Sequence, residues 1–275
     1  MSFAHGSPPE KEGCTYSEIM KLFRPANSIV LVWDHVDEKE RSKFEEQVEE
    51  VLRFYPIESL SNIVERLYKR QRQGFAAITF SSARKSIFLR AIPWLNSRKL
   101  PFTLFLNPTS IGSNRLPIQE ELALYHHYYP ERFGEAIFQE WERESWVIPA
   151  EGEARIRSLR REIGPLPLNF LDPTRYFATW GEVVRGVKEK SEFGITLSVQ
   201  PIGDKSFSAL EGEKTFVQNQ IGQTVRLAFA QRDLGSDLRE LRRLGIAGVL
   251  LDSQTGPVGR DTDPMKLPRW EMRIK

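Results

Sequence analysis

An α/β fold built on a parallel sheet or barrel is the class this sequence predicts, and three observations carry it. Short apolar runs of strand length alternate with helical stripes through the first hundred residues. The run 74–80 passes straight into a helical pattern at 84–94, a strand-to-helix junction of the kind where α/β folds place their chemistry. A chain of 275 residues also buries a large core without disulfide staples, so one α/β domain is the expectation.

The elements follow in order. Residues 28–33 form an apolar strand, and 38–54 place Phe44, Val48, Val51 and Leu52 on one helical stripe. Residues 61–68 add a short helix through Ile63, Val64 and Leu67, and the strand ending at Phe80 comes next. The helix after it carries Ile87, Phe88, Ala91 and Leu95, with a kink expected at Pro93, and 101–106 makes a third strand. Residues 107–177 break the rhythm with Pro-punctuated helical pieces rich in Glu and Arg, which read as an insertion or lid at about 107–178. Alternation resumes at Thr179-Trp180-Gly181-Glu182, where Thr and Glu have capping-box spacing. Residues 194–199, 224–229 and 245–251 are the later strands, with a helix at 237–244.

Composition excludes several functions. The 39 basic and 37 acidic residues are interspersed and leave a net charge of +2, so no strong field gathers nucleic acid or anionic lipid. Cys14 is the only cysteine, which rules out an internal disulfide and a Cys-rich zinc knuckle. Residues 1–20 lack the apolar core of a signal peptide, and no run approaches the roughly 18 apolar residues of a membrane span. The expectation is a soluble cytoplasmic protein with a loose tail over 1–27 and one barrel over 28–275.

Several segments resemble the polysaccharide deacetylases, the NodB-homology or carbohydrate esterase family four proteins. Residues Ile29 to Val36 resemble an opening strand that in one branch ends in Tyr-His-Arg-Val, and Phe44-Glu45-Glu46-Gln47 and Ser59-Leu60 resemble the helical approaches after it. Ala77-Ile78-Thr79-Phe80, then Ala91-Ile92-Pro93-Trp94-Leu95 and 100–105, resemble the most distinctive stretch, where the family strand ends in Thr-Phe-Asp-Asp-Gly. Thr179 to Val183 resembles the lead-in to the family's histidine motif, and Asp263-Pro264 with Leu267-Pro268-Arg269 its last strand. The resemblance covers about residues 28–274 and implies a distorted (β/α) barrel with its cleft at the carboxyl ends of the strands.

It also implies a site. In the family the first Asp of the pair is the general base, and the second binds a divalent metal, typically zinc, with two histidines spaced i, i+4. Here the base position is Ser81 and the metal position Ser82, while Gln200 and Asp204 stand where the histidines would be. One carboxylate with neutral oxygens is a poor site for zinc or cobalt, so no metal cofactor is expected there. The four positions are expected to converge. Asp34, His35, Trp180, Arg232 and Asp252 are further cleft candidates, with Arg232 set to hold an anion or to neutralise Asp204.

Other constellations have plainer readings. Ser81 with His35 and Asp34 or Asp252 lacks the Gly-x-Ser-x-Gly elbow of a serine hydrolase, so the serines are expected to cap the next helix. His126 and His127, beside Tyr125, Tyr128 and Tyr129, read as an aromatic hinge rather than a metal pair. Trp33, Trp94 and Trp180 are placed to stack on sugars, although tryptophans are mostly core. Arg157, Arg160 and Arg161, like Arg239, Arg242 and Arg243, read as solvated faces. The functional expectation is a deacetylase-like protein without catalysis that binds a carbohydrate or a protein partner, or regulates. The alternatives are an active carbon–nitrogen hydrolase using Asp34, His35 or Asp252, and a scaffold docking through residues 117–146.

Overall fold

Seven parallel strands close into a barrel in the order of the chain. The computed structural model describes residues 27–112, 116, 118–132, 138–141, 149–166, 174, 176–186, 190–197, 204–230 and 237–272, with side chains at 119, 149–151 and 204–207 excepted. The strands are β1 (Ile29–Trp33), β2 (Ala76–Phe80), β3 (Phe102–Leu106), β4 (Ser191–Leu197), β5 (Leu227–Ala230), β6 (Gly248–Thr255) and β7 (Leu267–Glu271). β7 closes the ring on β1 through the pairs Leu31 with Trp270 and Val32 with Glu271. Among the described residues no helix is long and apolar enough to cross a membrane.

The strands read as unbroken apolar runs because both of their faces are covered. Val30, Val32, Ala77, Phe105, Leu227, Phe229, Leu250 and Leu267 form the inner cluster. Ile29, Leu31, Trp33, Ile78, Phe80 and Leu104 alternate with them and pack outward against helices. Helix α1 (Arg41–Leu52) buries Phe44, Val48 and Val51 there, a stripe at i, i+4 and i+7. Phe44 sits edge-on to Trp33 and Trp94 and tilted against Phe80, so one ring ties the helix to two strands.

Helix α2 (Leu60–Tyr68) is different. Its Leu60, Ile63, Val64 and Leu67 join the inner cluster, so it plugs the amino-terminal end of the barrel. Ser59 Oγ starts it by accepting from Asn62 N–H, and Ser61 N–H donates to Glu192 at the foot of β4. A Cβ on Gly248 would lie 2.6 Å from Val64 Cγ2, which is why that strand starts with glycine. With one end stoppered, the carboxyl ends of the strands are the open mouth.

Other elements depart from expectation. The helical pattern after β2 is a π-turn over Ile87–Ala91 followed by α3 (Ile92–Ser97), with Ile92 N–H donating to Ile87 O. Pro93 has no N–H, so the turn ahead of it widens where a simple kink was expected. Helix α4 (Ile118–Tyr128) packs on α5 (Pro149–Glu162) through Leu122, Tyr125, Ile156 and Leu159, a small core of their own. Arg160 is not on a solvated face: it donates Nε and an Nη of its guanidinium to the two oxygens of buried Glu121, both at 2.9 Å, and stitches α4 to α5. His126 stacks on Phe138 at 4.4 Å, in keeping with an aromatic role.

Helix α6 (Trp180–Gly186) has the expected capping box, with Thr179 N–H donating to Glu182 at 2.7 Å and Glu182 N–H to Thr179 Oγ1 at 3.3 Å. Helix α7 (Asp204–Ile221) was not anticipated at all, and α8 (Leu238–Arg243) lies within the expected helix. The expected tail over 1–27 falls outside the described residues except for Asn27.

Candidate functional site

The register of β1 against β2 sets the site. Trp33 pairs with Phe80, so the next residues, Asp34 and Ser81, leave the sheet side by side at the open mouth. Ser81 N–H donates to Trp33 O, which extends the ladder one step beyond the strands. Ser81 Oγ then donates to Asp34 Oδ1 and Ser82 Oγ to Asp34 O, both at 3.0 Å. The serines therefore do not cap the following helix; they tie the end of β2 to the end of β1. The half-buried Asp34 carboxylate and carbonyl draw the hydroxyls back.

Arg84 completes the arrangement. Its guanidinium is buried and donates to Asp34 Oδ2 and to Glu120 of α4, bridging the barrel mouth to a helix between β3 and β4. The backbone holds it there: Arg84 bridges Phe177, and Lys85 N–H donates to Tyr176 O. Both Asp34 oxygens are thus engaged, one by Ser81 and one by Arg84.

His35 stands beside this pair, its Nδ1 3.7 Å from Asp34 Oδ2 and its Nε2 3.9 Å from Glu40 Oε2. Burial pushes the Asp34 carboxyl up, but the Arg84 guanidinium, the His35 ring and the Ser81 hydroxyl outweigh it and hold Asp34 well below the usual carboxylate range. Its neighbour Asp34 raises His35 above its ordinary value, against burial and Arg84. An Asp held so firmly ionised is a weak proton acceptor at neutral pH.

Asp252 is taken up by a second ion pair. Buried Arg269 of β7 donates to it, lies 3.8 Å from Glu271 and places its guanidinium 6.0 Å from the Phe229 ring. Thr196 Oγ1 of β4 reaches Ser81 O at 3.4 Å, so β4 does approach the serine junction. Gln200 and Arg232 lie outside the described residues, as does the side chain of Asp204, whose backbone opens α7. Trp180 is set against Phe216 at 5.4 Å in the helix layer, Trp33 is buried, and Trp94 packs on Phe44 with Arg98 over its ring. None of the three tryptophans is set to stack on a sugar at the Asp34 cluster.

A divalent metal at the Ser81–Ser82 position does not fit the described residues. Neither serine is a carboxylate, a neutral hydroxyl is a weak ligand for such an ion, and the one adjacent carboxylate already carries a guanidinium. A separate set of donors, His35, Asp37 and Glu40, offers one atom each within 4.8 Å of one another. Sequence reasoning missed Arg84, Glu120, Asp37 and Glu40. Arg84 had a signal, a basic residue two after the serine pair at a strand end, and His35-x-Asp37-x-x-Glu40 is a ligand-like spacing.

A scan against protein-family models finds no match for this sequence, and a search of curated proteins finds none either. Solved structures do match. IcaB from Ammonifex degensii superposes with a TM-score of 0.59 at 13% identity, over 90% of this chain and 92% of that one. The BpsB deacetylase domain from Bordetella bronchiseptica gives 0.54 at 12%, over 90% and 96%. The Streptococcus pyogenes deacetylase PplD in complex with acetate gives 0.54 at 11%, over 90% and 93%. At such low identity the likeness speaks for the fold alone: this chain has the (β/α) barrel of the polysaccharide-deacetylase type.

Proposed function

We propose that this chain is a polysaccharide-deacetylase-like protein that does not deacetylate, and that its barrel mouth binds a carbohydrate. The engagement of Asp34 carries the reading. A hydrolytic site at this junction needs a carboxylate free to take a proton from water and a second to hold a metal. Here the two pair positions hold Ser81 and Ser82, and Asp34 is neutralised by Arg84. What the mouth offers is acceptor oxygens, on the Ser81 and Ser82 hydroxyls and on the partly exposed carboxylates of Asp34 and Asp252, which suits the hydroxyl groups of a sugar. The position of the serine pair is proposed to be metal-free.

Purified protein supplied with zinc or cobalt and N-acetylglucosamine oligomers tests this. Neither acetate nor free amine is expected above the protein-free control, while oligomer titration is expected to shift amide resonances at the strand ends. Measurable acetate release overturns the silent reading. The combined change of Ser81→Asp, Ser82→Asp, Gln200→His and Asp204→His then asks whether the lost ligands alone account for inactivity. A second reading, an active carbon–nitrogen hydrolase, is favoured by the imidazole of His35 lying between Asp34 and Glu40. It requires activity that Asp34→Ala or His35→Ala removes.

A further inference from the structure

We propose that His35, Asp37 and Glu40 form a binding site for a divalent cation of the zinc and cobalt class, at the end of β1 and separate from the serine pair. The loop geometry assembles it. Val36 is fully buried and its N–H donates to Ser86 Oγ at 3.4 Å, which anchors the loop and leaves half-buried His35 and Asp37 on either side. The 3-10 turn Glu38–Glu40 then brings Glu40 back, and Glu40 Oε2 accepts from Asp37 N–H at 2.8 Å.

Distances and charge suit an ion. Tetrahedral zinc with bonds of about 2.0 to 2.1 Å sets its donors roughly 3.4 Å apart. His35 Nε2 and Glu40 Oε2 are 3.9 Å apart and the whole set lies within 4.8 Å, so the donors must draw together slightly to hold an ion. Glu40 Oε2, the oxygen that faces His35, also accepts from Asp37 N–H, and a carboxylate oxygen has a second lone pair to offer an ion. One neutral imidazole and two carboxylates balance a dication, and the nitrogen donor favours zinc or cobalt over magnesium or calcium.

A second observation points the same way. His35 Nδ1 is buried and pairs with Asp34 Oδ2 at 3.7 Å, while the rest of the ring is partly exposed. A carboxylate behind one ring nitrogen is the usual support of a metal-bound histidine, and it turns the other nitrogen, Nε2, towards the ligand. Asp34 is itself fixed by Ser81 and Arg84, so the supporting group is held in place. Capping the 3-10 turn accounts for Asp37 and Glu40 but not for the position of His35. This inference is independent of whether the protein deacetylates.

Titration of the chelator-treated full chain with cobalt and with zinc, by calorimetry and by the visible absorption of bound cobalt, tests it. One ion per chain is expected, with affinity at least tenfold weaker in His35→Gln and in Glu40→Gln and roughly 10- to 100-fold weaker in Asp34→Asn. The double change of His126→Gln with His127→Gln should bind as the parent does, and a large excess of magnesium should not displace the ion. Circular dichroism on each variant separates lost binding from lost fold. Absence of binding to the parent, or binding unaffected by both His35→Gln and Glu40→Gln in folded protein, overturns the site.

Discussion

Replacing Arg84 by Met removes the guanidinium that joins the barrel mouth to α4 while keeping most of the side-chain volume. The Arg84 side chain is 6% exposed, against 42% for Asp34 and 25% for Glu120. Breaking a fully buried ion pair costs about 3–5 kcal/mol, but here water reaches both carboxylates and takes up part of the loss. Removal of Arg84 Nε, which is buried without a hydrogen bond to the described residues, returns roughly 1 kcal/mol. The net expectation is destabilisation of about 2 kcal/mol, read as a lower urea midpoint at unchanged slope. Adding Asp34→Asn and Glu120→Gln to Arg84→Met removes the two uncompensated charges and should recover at least ~1 kcal/mol, a coupling that non-interacting sites do not show. Arg84→Met within about 0.5 kcal/mol of the parent, or a triple variant no more stable than the single one, would refute this electrostatic account.

Three further outcomes follow from the packing and the charges. Ser81→Asp turns a donor to Asp34 Oδ1 into a second carboxylate facing it, so it should cost about 1–3 kcal/mol at pH 7 and less at pH 4, measured by thermal melts at both. Gly194→Ala places a Cβ 2.5 Å from the Phe105 ring and 2.9 Å from Leu227 O, and overpacking of that kind should lower stability by about 1–3 kcal/mol or more in urea unfolding. Glu182 feels burial first, which pushes it up, but the Thr179 N–H and hydroxyl outweigh this and hold it below its ordinary value. Its ionised form therefore adds stability that is complete above the unfolded-chain value and disappears as pH falls through the folded one, so Glu182→Gln should lower the melting temperature at pH 7 and leave it unchanged in strong acid.

Strands were the most legible part of the sequence, because a strand buried on both faces needs nothing but consecutive apolar residues, and 28–33, 74–80 and 101–106 show that directly. Capping at Thr179 and Glu182 was equally legible, since it depends on a spacing of three residues. Helix α7 was not: its buried Leu210, Val217 and Ile221 keep to one face, but Gly212 and the intervening polar residues dilute the stripe. The role of the serine pair misled for a different reason. Adjacent serines favour capping on local grounds, whereas their acceptor here is on the neighbouring strand, 47 and 48 residues away. Arg84 was hidden likewise, with partners 36 and 50 residues off in sequence. A charge pair formed across a barrel mouth leaves no periodic trace in either segment.

The ring that makes this mouth is sealed between β1 and β7, elements at opposite extremes of the described sequence. During synthesis β1 emerges first and then has one free edge until β7 arrives, and every parallel pairing around the circle is non-local. Such a chain is expected to fold slowly, with its earliest strand exposed to mispairing for most of translation. The pair of serines bound to Asp34 acquires a second meaning in that interval. Both bonds lie within residues 34–82, so the β1–β2 edge carries a fastening that needs nothing from the later strands.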